Sequence, residues 1–91
     1  MPDSLDNNRK RVLFRSHHAG MKENDHLFGG FADQNLASMT DEDVAWFESL
    51  LMNHNDIDLY NWMMEKEPVP PNLNHPVMER LLAFKNALSA R

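Results

Sequence analysis

The sequence predicts an all-α protein, a small single-domain bundle of about five helices. Apolar residues recur at helical spacing in several segments, and these segments begin or end at capping residues, glycines or prolines. No segment sustains the alternation of β-branched and polar residues that is typical of strands. A chain of 91 residues has room for one modest core. We therefore expect residues 1–91 to form one domain, with an ordered core from about 5 to 90.

The first helix is predicted from Leu5 to about His18, with one buried apolar side and a basic outer side. Its apolar positions are Leu5, Val12, Leu13 and Phe14, and its basic positions are Arg9, Lys10, Arg11 and Arg15. Ala19 and Gly20 interrupt this helix, because glycine readily adopts the left-handed conformation found after a helix C-terminus.

A second helix begins near Lys22, where Glu23 and Asp25 complement the positive end of the helix dipole. Its apolar side consists of Leu27, Phe28, Phe31 and Ala32. Gly29 and Gly30 lack the strand and the lysine of a phosphate-binding loop, so they predict close helix packing instead.

Thr40 predicts the start of a third helix, because it is a good N-cap and three carboxylates follow it. The apolar stripe of this helix is Val44, Phe47, Leu50 and Leu51. Asp56 is the predicted cap of a short fourth helix that runs through Leu59, Tyr60, Trp62 and Met63. We expect Tyr60, Trp62, Met63 and Met64 to lie in the core, and a contact surface is the alternative for the two aromatic residues.

Prolines at 68, 70 and 71 predict a loop, and Pro76 stands at the first position of the last helix, where its missing N–H costs least. The apolar residues of this helix are Val77, Leu81, Phe84 and Leu88.

Composition excludes several classes of protein. Without cysteine the chain has no disulfides, cysteine-bound zinc or thiol catalysis. The net charge of −5 disfavours binding to nucleic acid, and no apolar run is long enough to cross a membrane. We expect a cytoplasmic bacterial protein without membrane insertion.

The sequence indicates neither a catalytic residue nor a metal site, and we expect a protein that is not an enzyme. His17, His18 and His26 have zinc-binding chemistry, but their spacing is not that of a helical zinc motif. Exposed histidines at a helix end are the favoured interpretation, and a small hydrolase built on them is the weakest alternative.

Two segments are similar to one known family. Residues 20–25 (GMKEND), followed by 27–33 (LFGGFAD), resemble the signature of the succinate dehydrogenase FAD-assembly (flavinylation) factors. Residues 56–63 (DIDLYNWM) are similar to a second segment of that family. The resemblance extends over roughly residues 9–85.

This resemblance implies a five-helix assembly factor or chaperone that binds the flavoprotein subunit of succinate dehydrogenase, and in some members that of fumarate reductase. It implies that the factor promotes covalent attachment of FAD to a histidine of the partner. The factor itself would hold no stably bound cofactor and would act on the FAD of the partner.

The resemblance also implies which residues contact the partner. Gly20 and Glu23 match the glycine and glutamate of the family's Arg-Gly-x-x-Glu motif, and Asp25 matches a nearby aspartate. Ala19 replaces the arginine of the motif, and His18 replaces a second arginine that often precedes it. The predicted partner-binding residues are Arg15, His18, Ala19, Gly20, Met21, Glu23 and Asp25.

Three explanations are compatible with the alanine. Arg15 or His18 substitutes for the missing arginine, the protein binds without promoting flavinylation well, or position 19 was altered from a parent sequence.

The acidic middle of the chain supports a different function. Residues 41–67 carry eight carboxylates and one lysine. An acidic helical interaction module, antitoxin-like or regulatory, would use this face to bind a basic partner. The sequence leaves open the oligomeric state, direct contact with FAD and the preferred flavoprotein.

Overall fold

A computed structural model describes residues 5–89, which form five α-helices joined by short connections. The helices are α1 (Asn7–Ser16), α2 (Lys22–Asn35), α3 (Asp41–Asn53), α4 (Asp56–Met63) and α5 (Pro76–Ser89), with 3₁₀ turns at Leu36–Ser38 and Pro71–Leu73. No strand occurs within residues 5–89, and the predicted all-α class is confirmed. Of the predicted domain, residues 1–4 and 90–91 lie outside the described residues.

The helix ends follow local capping chemistry. The Thr40 Oγ1 accepts the backbone N–H of Asp43 at 3.1 Å, as predicted. The predicted cap at Asp56 is wrong, because Asn55 precedes it and its Oδ1 accepts the backbone N–H of Asp58 at 2.8 Å. Asp56 is therefore the first residue of α4. The first helix is shorter than predicted, since Asp6 caps it.

The core lies around α2, which packs against α1, α4 and α5. Phe31 of α2 makes edge-to-face contacts with Phe47 of α3 and Phe84 of α5, with ring centroids 5.4 and 5.8 Å apart. All four predicted apolar residues of α2 are buried. Trp62 and Met63 are buried as predicted, and Met64 packs partly buried against the same core. Tyr60, predicted to lie in the core, is only partly buried.

Phe14 is wrongly predicted to face the core, since 64% of it is exposed. Val12 and Ser16 are one helical turn apart, and both are buried. A residue midway between them points to the opposite side of the helix. Phe14 therefore lies on the surface of α1.

The predicted close packing at the paired glycines is confirmed. A Cβ atom at Gly29 would lie 2.5 Å from the His17 Nδ1, and one at Gly30 would lie 3.3 Å from the Phe84 Cζ. Helix α2 thus approaches the end of α1 on one side and α5 on the other.

Candidate partner-binding site

The turn between α1 and α2 is held by hydrogen bonds that its backbone N–H groups donate. The backbone N–H of His17 donates to the carbonyls of Leu13 and Phe14, and closes the last turn of α1. The backbone N–H of Ala19 donates to the Asp25 carboxylate in the first turn of α2. The turn is thereby tied to α2.

Gly20 is required in this turn for two reasons. Its φ is +91°, a conformation that residues with a side chain rarely adopt. A Cβ atom at this position would also lie 3.1 Å from both the Cβ and the Oδ2 of Asp56. The backbone of the turn therefore runs directly against the start of α4.

Asn24 joins the starts of α2 and α4. Its side chain is fully buried, and its Nδ2 donates to the Asp56 carbonyl at 2.9 Å. Its Oδ1 is buried and has no hydrogen-bond partner among the residues described. Asn24 thus positions Asp56 against Gly20 at the expense of one unsatisfied acceptor.

These contacts create a surface groove of about 460 Å³ at the turn, which we call the Gly20 groove. Apolar side chains form part of its rim: Phe14 is 64% and Met52 is 58% exposed. The groove is lined by Phe14, Arg15, His18, Ala19, Gly20, Leu51, Met52, His54, Asp56 and Leu59. Four predicted partner-binding residues, Arg15, His18, Ala19 and Gly20, thus lie together.

The other three predicted residues are placed differently. Met21 is the partly buried N-cap residue of α2, and its carbonyl accepts the Asp25 N–H at 2.8 Å. Glu23 and Asp25 line a separate depression of about 580 Å³, together with His17, Lys22 and His26. The predicted residues therefore divide between two neighbouring surfaces, which Asp25 joins through its bond to Ala19.

Ion pairs connect α1 to α3 beside the groove. Arg11 binds both oxygens of Glu48, with distances of 2.8 Å from Nη2 to Oε1 and 2.7 Å from Nε to Oε2. The Arg15 Nε donates to the same Oε2 at 3.0 Å. The hydrogen bond from Arg11 lowers the pKa of Glu48 below its ordinary value, so this carboxylate stays charged in the folded protein.

Arg9 forms a second group of contacts between these elements. Its guanidinium donates to the Leu36 carbonyl at 2.9 Å and binds the carboxylates of Asp6 and Asp41 at 2.8 and 3.0 Å. The hydrogen bond with Asp41 raises the pKa of Arg9. The α1 arginines thus pair with two of the eight carboxylates in residues 41–67.

Of His17, His18 and His26, the first two have separate partners within the fold. The His17 Nε2 lies 3.0 Å from the Asp33 Oδ1, and the His18 ring stacks on Phe14 with centroids 4.1 Å apart. His26 is exposed beside Glu23. Within residues 5–89, no three histidine or carboxylate side chains converge as metal ligands would.

Sequence reasoning did not select Asn24, Met52 or His54 as site residues. Their role depends on the approach of α2, α3 and α4, which no local pattern indicates. Asp56 lies in residues 56–63, whose resemblance to a second family segment was the one sequence feature that could have indicated it as a site residue.

Among the helices in residues 5–89, none has both the length and the apolar character needed to cross a bilayer.

The fold and the Gly20 groove define a class: a small all-α domain with a recess at the turn between its first two helices. The family model described as flavinator of succinate dehydrogenase matches residues 10–85. The chain belongs to this family of succinate dehydrogenase assembly factors, and the resemblance inferred from its two segments is confirmed.

Curated relatives agree with this family. The FAD assembly factor SdhE of Acetobacter pasteurianus is 34% identical over 80 residues, which cover 88% of this chain and 72% of the relative. Succinate dehydrogenase assembly factor 2 of Dictyostelium discoideum is 35% identical over 71 residues, which cover 78% of this chain and 50% of the relative. The corresponding Danio rerio protein is 35% identical over 83 residues, covering 90% and 52%. The chain thus spans about half the length of these mitochondrial relatives.

The names of these relatives are those of assembly factors, in agreement with the prediction that the chain is not an enzyme. No solved structure gives a significant match.

Proposed function

We propose that this protein binds the flavoprotein subunit of succinate dehydrogenase, or that of fumarate reductase, and promotes covalent attachment of its FAD. One observation carries the proposal: four residues that the family resemblance selects line a single open groove with an apolar rim. Exposed apolar side chains around polar groups are typical of surfaces that bind another protein.

The groove suits a role in positioning. Gly20 has no side chain, so the turn packs directly against Asp56, and both residues line the groove. Phe14 and Met52 exclude water from the contact when a partner covers them. The factor would hold the partner's histidine and flavin in a productive arrangement, and the flavin would supply the redox chemistry. FAD remains a cofactor of the partner in this proposal.

Ala19 determines how strongly the groove acts on the partner. Its partly buried side chain lines the groove and donates no hydrogen bond, whereas an arginine there would offer a planar set of donors to a carboxylate. We expect Ala19→Arg to strengthen the activity.

Co-expression with the flavoprotein subunit tests the proposal. Covalent flavin is measured by its fluorescence in the subunit band after denaturing electrophoresis, with and without this protein. We expect fluorescence to increase with the wild-type chain and to increase further with Ala19→Arg. Ala83→Arg is the matched control, because Ala83 is an exposed helical alanine outside the groove.

The outcomes are distinct. No increase with either the wild-type chain or Ala19→Arg contradicts the proposal. An increase with Ala19→Arg alone shows that position 19 limits this protein. An equal further gain with Ala83→Arg would indicate a general effect of positive charge.

A further inference from the structure

Arg15 has hydrogen-bonding capacity that the fold does not use. Within residues 5–89, its Nε alone has a partner, the Glu48 Oε2 at 3.0 Å. Its Nη1 and Nη2 make no hydrogen bond to any residue in the described range 5–89. The side chain is 41% exposed and lines the Gly20 groove. A planar set of N–H donors is therefore available on the wall of the groove.

Glu48 orients Arg15 without neutralising it. Arg11 already binds both Glu48 oxygens, so two guanidinium groups share one carboxylate. This cluster retains one positive charge. Because the Nε of Arg15 is held, less rotational freedom is lost when its other nitrogens bind a ligand.

The charges around the groove select the kind of ligand. Asp56 lines the same groove, and its carboxylate accepts no hydrogen bond from another residue in the described part of the chain. This negative charge disfavours a phosphate dianion more than a monoanion. A carboxylate also matches the two-donor geometry of a guanidinium. The exposed Phe14 and Met52 rim suits a protein surface, which presents carboxylates among apolar side chains.

We infer that Arg15 is a specificity-determining residue that binds an aspartate or glutamate side chain of the partner flavoprotein. Glu48 is the positioning residue for this contact. The inference rests on the proposed function, because that proposal supplies the partner.

Calorimetric titration of the purified flavoprotein subunit tests this inference with four proteins: wild type, Arg15→Gln, Lys10→Gln and Glu48→Gln. Charge-assisted hydrogen bonds predict that Arg15→Gln raises the Kd roughly 10- to 100-fold. Lys10→Gln removes the same charge from an exposed position on the same helix, and we expect a change below about threefold. Glu48→Gln breaks the ion pair but keeps the Arg15 charge, so its loss is smaller than that of Arg15→Gln.

The salt dependence of the Kd and the thermal stability of each variant distinguish a binding role of Arg15 from a structural role. Screening predicts that the difference between wild type and Arg15→Gln shrinks as NaCl rises from about 50 to about 500 mM. If Arg15 only joined α1 to α3, Glu48→Gln would weaken binding as much as Arg15→Gln. Thermal melting of each variant identifies any loss caused by unfolding.

Three results overturn the inference. One is an unchanged Kd for Arg15→Gln, and another is an equal loss in Lys10→Gln. The third is binding of free FAD by the wild-type chain that Arg15→Gln removes, since the anion would then belong to the cofactor. If the wild-type chain binds the flavoprotein but Arg15→Gln binds it equally well, the inference about Arg15 fails and the proposed function stands. If the wild-type chain does not bind the flavoprotein at all, the proposed function fails too.

Discussion

Arg9 and Arg11 on one side of α1 bind carboxylates from other elements, and their guanidinium groups are engaged within the fold. Phe14, on another side of the same helix, is exposed at the rim of the Gly20 groove. We call the first region the ion-pair contact. The same ten residues thus supply one surface that stabilises the fold and one that the fold leaves open.

The difference shows that the side of the helix on which a residue lies determines whether it stabilises the fold or remains available to bind a partner. Polar groups that face α3 have partners, so removing them changes stability. Groups that face the groove have few partners, so removing them should change binding while the fold remains. Mutations in the two regions test this division.

The largest effect on stability is expected where the groove depends on the backbone. Gly20→Ala should lower the free energy of unfolding by about 1–3 kcal/mol, because alanine is strained at positive φ and its Cβ would contact Asp56 at 3.1 Å. Urea denaturation measures the change. Gly30→Ala is the comparison at a glycine with an ordinary helical backbone. Alanine favours the helix there, whereas its Cβ would lie 3.3 Å from the Phe84 Cζ, so we expect the two effects to offset within about 1 kcal/mol. Equal losses would mean that the turn is not specially constrained.

Asn24 tests the connection beneath the groove. Asn24→Ala removes the hydrogen bond to the Asp56 carbonyl, but it also removes the unsatisfied Oδ1, so we expect a loss of about 1–2 kcal/mol. Asn53→Ala, which removes an exposed hydrogen bond to Ser49, should stay within about 0.5 kcal/mol. A neutral Asn24→Ala would show that the connection between α2 and α4 contributes no net stability.

Local signals predict the helices better than they predict the groove. Thr40 and Pro76 mark helix starts through their own backbone chemistry, so the sequence identifies them correctly. The contact between Asn24 and Asp56 joins residues 32 positions apart, and it exists only because α2 and α4 pack together. The division between Gly20 and Glu23 likewise depends on where α4 lies. Arrangements of this kind require the packed structure.

The pH dependence of stability tests the ion-pair contact. The Glu48 pKa is lowered from 4.5, chiefly by the hydrogen bond from Arg11, so Glu48 stabilises the fold fully above about pH 4.5. This contribution is lost as the pH falls below 4.5 and through the lower pKa of the folded state. Urea denaturation of Glu48→Gln should therefore show a flatter decline in acid than wild type, and less stability near neutral pH.

Glu67→Gln is the control for this measurement, because Glu67 is exposed and has no ion pair within residues 5–89. Its acid decline should follow that of wild type. If Glu48→Gln follows the same decline, the contact between α1 and α3 does not contribute to the acid sensitivity.

The smallest effect on stability is expected at the rim of the groove. Phe14→Ser and Met52→Ser remove side chains that are more than half exposed, so each should change the free energy of unfolding by less than about 0.5 kcal/mol. Phe14→Ser also loses its stacking on His18, a contact between two exposed rings that adds little to the stability.

The same variants, Phe14→Ser and Met52→Ser, should weaken binding to the flavoprotein subunit, because exposed apolar side chains contribute mainly when a partner covers them. Ile57→Ser is the matched comparison, since Ile57 is exposed but does not line the groove. Weaker binding with Phe14→Ser and Met52→Ser alone would separate the binding surface from the folding surface of α1, whereas equal binding by all three variants would place the partner elsewhere.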